Sequence, residues 1–318
     1  MTVAERDFAA ERRPLMGIAL KILSVAVFVA MSSFIKAAGT VPAGQIVFFR
    51  SFFAIFPLMV MIAWRNELAT AFHTQHPWSH VLRGLVGVVS MGLGFFGLTR
   101  LPLPDAITLN YAQPLLVVVF SAIFIGEVVR IYRWSAVIVG FVGVVIIAWP
   151  KLTLLTGEAG MGEGEALGVI AVLLAAAASA VVMLLVRRLV MTEKTSTIVL
   201  WFSVTATIVS FFTLPFGWVP LTNWQIAALA AAGICGGIGQ VLMTQCYRYA
   251  ELSTIAPFEY TSMILAILVG YFAFNDVPTI YTLVGGLIVV GAGLFIIWRE
   301  HQLGLKRVKA RRFVPPAS

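Results

Sequence analysis

Ten apolar runs, at 16–36, 45–64, 82–99, 105–125, 134–150, 166–186, 197–214, 225–246, 255–274 and 280–298, leave this chain few ways to fold. Most approach the roughly 20 residues that a helix needs to cross the hydrocarbon core of a bilayer. Only 11% of the residues are charged and 60% are hydrophobic, whereas a soluble domain carries about 25% charged residues. So few charges cannot cover a water-facing surface. The expected fold class is an all-α polytopic membrane protein with ten transmembrane helices. Turn chemistry separates the runs at Pro42-Ala43-Gly44, Pro102-Leu103-Pro104, Gly126-Glu127, Pro150-Lys151, Pro220 to Asn223 and Asn275 to Pro278. The first run is longer than the apolar core of a signal peptide, about 7–15 residues. Its Gly17 and Lys36 are matched in the second half by Gly168 and Arg187, so it is read as a permanent span.

The second half of the chain repeats the first. The stretch 103–149 lies on 252–298 without gaps, matching Leu103 to Leu252, Tyr111 to Tyr260, Tyr132 to Tyr281 and Trp149 to Trp298. Glu127 falls on Asp276, each in a break between two runs. Five spans is an odd number, so the second repeat enters the membrane upside down relative to the first. Transporters built this way hold their substrate near the midplane, where the repeats meet.

Lys and Arg set the orientation. Seventeen of them fall on the side of the N-terminus, and the opposite side holds Arg100 and Lys151. By the positive-inside rule both termini are cytoplasmic. The expected organisation is a cytoplasmic tail (1–15), a first five-helix repeat (16–150), an outer linker (151–165), a second five-helix repeat (166–298) and a basic cytoplasmic tail (299–318). The net charge of +8 follows from this bias, so no nucleic acid is expected as a partner. Membrane lipid is, and the tail can touch anionic headgroups. A homodimer is one assembly open to such a chain. Cys235 and Cys246 share one run, about 16 Å apart along a helix, too far for a disulfide.

Ionisable residues within spans are costly and point to function. Glu259 lies about a turn into the ninth run, with Lys21 at similar depth in the first as its natural partner. Asp105, Lys36 and Arg50 sit toward the outer ends of their runs. The plainer alternatives are a structural Lys21–Glu259 pair and a Lys36 that snorkels to the interface. Asn110, Tyr111 and Gln113 in the fourth run match Glu259, Tyr260 and Ser262 in the ninth. These triplets are expected to face one cavity, where Tyr111, Phe258 and Tyr260 stack on an aromatic ligand and the amides reach its polar edge. Interhelical hydrogen bonding is the alternative. Gln240 and Gln245 are further candidates.

Pro114 frees a backbone carbonyl in the middle of the fourth helix and should kink it. Glycines thin the third and eighth runs, which are expected to pack closely beside the cavity and slide. His73, His76 and His80 read as a solvated loop between the second and third spans, because no Cys or carboxylate cluster accompanies them. Glu127 and Asp276 read as turn anchors.

Ten spans in two inverted halves, Gly126-Glu127 between the fourth and fifth, Phe48-Phe49-Arg50, the segment His80 to Gly84 and Ala256-Pro257-Phe258-Glu259-Tyr260 together resemble the EamA family of the drug/metabolite transporter superfamily. Over 15–298 the motifs are most similar to its α-proteobacterial riboflavin importers. Asn275-Asp276 where Gly-Glu is expected, and Met263 in place of Pro114, depart from the pattern. The resemblance implies secondary transport of a small metabolite across a bacterial inner membrane, with riboflavin uptake first. The alternative is export or exchange of amino acids, drugs or S-adenosylmethionine. Substrate binding is then expected from Asn110, Tyr111, Gln113, Glu259, Tyr260 and Arg50, and coupling from Glu259 with Lys21. No cofactor or metal is expected. With no P-loop, HExxH or Gly-x-Ser-x-Gly motif, neither direct use of ATP nor an enzyme is expected.

Overall fold

The structure, a computed structural model, describes residues 14–124, 126, 129–152, 163–189, 193–249 and 255–312. The apolar runs form helices α1 (Pro14–Ala37), α2 (Ala43–Trp64), α3 (Pro77–Leu98), α4 (Leu103–Asn110), α5 (Ala112–Phe124) and α6 (Ile131–Leu152). The second half continues with α7 (Glu163–Leu189), α8 (Thr195–Phe211), α9 (Asn223–Tyr249), α10 (Thr261–Phe274) and α11 (Ile280–Arg312). A 3-10 turn, Ala256–Tyr260, leads into α10. Among the described residues nine segments are long and apolar enough to cross a membrane, α4 and α5 together forming one of them. The apolar stretch Ser196–Phe211 is shorter and stands where the seventh run was expected.

Several helix ends differ from the sequence reading. Helix α3 begins at Pro77, not at residue 82. Proline suits the first helical position because its fixed φ fits the turn and no N–H is needed there. His80 therefore leaves the expected loop. It is fully buried and stacks on Trp201 with ring centroids 5.6 Å apart, while His73 and His76 stay exposed in the link. Helix α6 runs through Pro150 to Leu152. Lys151 at its end is tied to Asp105 and Glu165, 2.9 and 2.7 Å away. Helix α11 carries the chain on through the basic segment to Arg312. Glu127, the linker glycines Gly157, Gly160 and Gly162, and the N-terminal Arg6, Arg12 and Arg13 lie outside the described residues.

At Pro114 the fourth span is interrupted outright, where a kink was expected. Proline has no N–H to offer the carbonyl of Asn110, and the chain breaks at Tyr111, whose N–H bonds back to the Thr108 carbonyl at 3.1 Å. The ninth span has Met263 in place of that proline, yet it breaks at the matching position. Pro257 opens its 3-10 turn, which ends at Tyr260. Tyr111 and Tyr260 thus occupy equivalent irregular points in the two halves.

The halves interlock. Helix α9 packs along α1 and α2, and α3 packs along α7 and α8. The third span of each half is thereby gripped by the first two of the other. Helix α10 lies on α4, and α6 on α11. The glycine-thinned third and eighth spans pack across the halves, not on one another. A Cβ at Gly84 or Gly87 would strike Thr205 or Phe202, and one at Gly233 or Gly237 would strike Phe53 or Pro57. Small residues permit this approach without a hydrophobic drive.

The main buried cluster lies toward the ends of the helices remote from the start of α1, here termed the distal face. It includes Ile35, Val41, Ile46, Leu101, Leu103, Ile147 and Leu229. At the opposite, N-terminal face, Glu193 joins the two halves. Its carboxylate accepts hydrogen bonds from Thr74 Oγ1 (2.6 Å) and the Gln75 N–H (3.0 Å) in the α2–α3 link.

Candidate substrate cavity

A cavity of about 880 Å³ runs through the middle of the bundle. The expected substrate-binding and coupling residues line it: Asn110, Tyr111 and Gln113 from the fourth span, Glu259 and Tyr260 from the ninth, Arg50 from α2 and Lys21 from α1. Ser262 and Gln240 also line it, whereas Phe258 and Gln245 do not. Toward the N-terminal face the lining extends to Lys21, Arg133, Met243 and Ile297. Toward the distal face it stops at Met31, Leu98, Ala106 and Val172, which already belong to the main buried cluster.

Ion pairs close the distal end beyond that cluster. Lys36 Nζ lies 2.7 Å from Asp276 Oδ2 and donates to the Leu101 carbonyl at 2.8 Å. The Leu103 N–H donates to the same Asp276 oxygen at 2.9 Å. Asp276 sits just after Asn275, whose left-handed backbone (φ 54°) ends α10. Beside this group, buried Asp105 accepts a hydrogen bond from Thr282 Oγ1. Its other oxygen forms an ion pair with Lys151 Nζ at 2.9 Å, without hydrogen-bond geometry. Lys36 and Asp105 are therefore part of a seal between the halves, away from the cavity wall, and Lys36 does more than snorkel.

At mid-depth the equivalent tyrosines meet. The Tyr111 and Tyr260 rings pack edge to face, with centroids 5.2 Å apart and planes at 71°. This geometry places the positive edge of one ring against the negative face of the other. The Tyr111 hydroxyl hydrogen-bonds Ser262 Oγ. The Tyr260 hydroxyl lies over Gly293, where a Cβ would collide with it. Closer to the N-terminal face, Lys21 and Glu259 form an ion pair in which Lys21 is 2% exposed and Glu259 50%.

Sequence reasoning missed Arg83 as a cavity residue, counting it as a topogenic charge. With α3 starting at Pro77, Arg83 stands about 9 Å into the helix and lines the cavity. Its guanidinium carbon lies 4.0 Å from the centre of the Phe202 ring, a cation–π contact. Ser90 and Ser179 were also missed. Both line the cavity, hydrogen-bonded to each other at 2.5 Å. As isolated hydroxyls in apolar runs they carried no signal.

The model of the EamA-like transporter family matches residues 15–149 and 166–298. The S-adenosylmethionine uptake transporter of Rickettsia bellii is 26% identical over 264 residues, 83% of this chain and 87% of its own length. The pseudopaline exporter CntI of Pseudomonas aeruginosa is 29% identical over 284 residues, 87% of this chain and 94% of its own. The riboflavin transporter of Rhizobium johnstonii is 28% identical over 233 residues, 73% of this chain and 74% of its own. A solved crystal structure shares the fold with a TM-score of 0.63 at 19% identity, covering 90% of this chain and 98% of that one.

Proposed function

Because this chain belongs to the EamA-like transporter family, we propose that it is a secondary transporter that moves a small planar metabolite through the central cavity by alternating access. It is a multi-pass protein of the inner membrane. The observation that carries the substrate reading is the Tyr111–Tyr260 pair at mid-depth in a cavity closed toward the distal face. Aromatic edges and faces flanked by Asn110 and Gln113 suit a flat ligand with polar atoms on its rim. Glu259 with Lys21 is the proposed coupling pair, near the cavity mouth.

Riboflavin uptake is supported by the motifs of the sequence and by the Rhizobium johnstonii relative. The test is growth of a riboflavin-requiring bacterium expressing this chain on limiting riboflavin, with labelled uptake alongside. Rescue that is lost in Tyr260→Ala, with the variant still in the membrane, is the expected result. No rescue from a well-expressed chain removes riboflavin uptake. A charged metabolite such as S-adenosylmethionine, moved in either direction, is the second reading. It is favoured by the buried Arg50 and Arg83 in the cavity wall and by the Rickettsia bellii relative.

A further inference from the structure

The charge in the cavity wall is unbalanced. Among the described lining residues the carboxylate is Glu259, and Lys21 pairs with it. Arg133, near the mouth, is engaged by a contact of its own. Arg50 and Arg83 line the same cavity and are 4% and 9% exposed. Arg50 Nε, and Arg83 Nε and Nη1, are buried without a hydrogen-bond partner. Arg50 stands on α2 and Arg83 on α3, and the two helices pack against each other.

Guanidinium stays protonated in a protein, so neither side chain escapes by losing its charge. Burying a charge without an acceptor is costly. The surroundings hold both groups in place without supplying one. Arg83 rests on the Phe202 ring. Arg50 lies against Gly236, where a Cβ would stand 3.0 Å from Nε, with the Met31 sulfur equally close. Two fixed forks of donors facing one cavity, with no acceptor among the described residues, match a planar oxyanion that arrives with the ligand.

We propose that Arg50 and Arg83 form a subsite for an anionic oxygen group, carboxylate or phosphate, on the transported molecule. This rests on the reading of the cavity as the transport site and narrows its substrate class to organic anions and zwitterions. In such a ligand the ring lies at Tyr111 and Tyr260 and the oxyanion lies between α2 and α3. Any cationic end meets the half-exposed carboxylate of Glu259. Riboflavin offers these arginines carbonyl and hydroxyl oxygens but no counter-charge.

The test uses matched pairs that differ by one anionic group, titrated into the full chain in lipid nanodiscs. S-adenosylmethionine against its decarboxylated form tests carboxylate, and riboflavin 5′-phosphate against riboflavin tests phosphate. Hydrogen bonds to a charged group predict a preference of about ten- to a hundredfold for the anionic member of at least one pair. Arg50→Gln and Arg83→Gln should each bring that ratio close to one. Should these variants not fold, Gly236→Ala, which displaces Arg50 without removing its charge, should lower the ratio in the same direction. The pair that shows the preference identifies the oxyanion. If both members of each pair bind equally, or the preference survives in the variants, the subsite is overturned and the transport site stands. If no ligand of either pair binds the wild-type chain, the planar-metabolite reading falls and the subsite with it.

Discussion

Tyr111 and Tyr260 hold equivalent positions in the two repeats and meet inside the cavity, ring edge against ring face, with centroids 5.2 Å apart. Each lies at a break in its span, one before Pro114 and one after Pro257. The interruption frees backbone and turns the phenol inward, so the pairing follows from the repeat together with two separately placed prolines. The Tyr260 hydroxyl fits only because residue 293 lacks a Cβ. Gly293→Ala should therefore displace the phenol and lower transport by on the order of tenfold at normal expression, as misplacement of a positioning group by about 1 Å can do. Tyr260→Phe removes the oxygen in conflict. The double variant Tyr260→Phe/Gly293→Ala should therefore transport better than Gly293→Ala alone. Initial rates in proteoliposomes check this, and a double variant no better than the single one would refute the steric account.

Lys21 and Glu259 are unequally placed: the amine is buried and the carboxylate half-exposed. Glu259→Gln strands a buried ammonium and should lower stability by about 1–2 kcal/mol, less than a fully buried pair would lose, because solvent already screens the carboxylate. Lys21→Met combined with Glu259→Gln should recover most of that loss in a thermal melt. The same single variant tests coupling. If Glu259 carries the proton, uptake by Glu259→Gln should be flat with pH where the wild type is not. A wild-type pH profile in a stable Glu259→Gln variant would leave the pair a structural role alone.

Much of this arrangement is legible in the sequence, and the failures have physical causes. Apolar length and turn chemistry mark the spans, and the gapless repeat predicts that Tyr111 and Tyr260 share a cavity. The start of α3 was missed because Pro77, Trp78, Ser79 and His80 read as loop. His80 packs on the Trp201 ring of α8, a tertiary partner that no local pattern announces. Arg83 was lost with it, since a basic residue near a span end is ordinarily topogenic. Glycines announce close approach but not with whom. Those of α3 and α9 serve the other half's first two spans, and no local pattern carries that information.

The distal seal should be a switch between the two exposures of the cavity. Lys36, Asp276 and the Leu101–Leu103 backbone join α1, the turn after α10 and the start of α4. Asp276→Asn weakens the pair while retaining an acceptor for the Leu103 N–H. A partly buried, hydrogen-bonded pair of this kind contributes about 1–3 kcal/mol. Its loss should populate the distally open state. Ala106→Cys, at the distal limit of the cavity, should then react faster with an impermeant thiol reagent added from the distal side, in a background lacking Cys235 and Cys246. Equal rates with and without Asp276→Asn would show that the apolar cluster alone holds the seal.

Gly143 and Gly92 make a matched comparison for the role of small residues. Both lie in the middle of apolar helices, but their surroundings differ. A Cβ on Gly143 would come 2.7 Å from the Gly285 carbonyl and 2.8 Å from the Val289 side chain, whereas nothing lies within 4 Å of one on Gly92. The backbones of α6 and α11 cannot separate cheaply, because Gly285 in turn faces the Gly143 carbonyl. Gly143→Ala should cost about 1–3 kcal/mol through overpacking and lower the melting temperature in detergent. Gly92→Ala should be neutral or slightly stabilising, since alanine is the better helix former by about 0.5–1 kcal/mol. Thermal melts of the two variants side by side check this. Equal destabilisation would mean that glycine in these helices serves backbone flexibility and not the contact between α6 and α11.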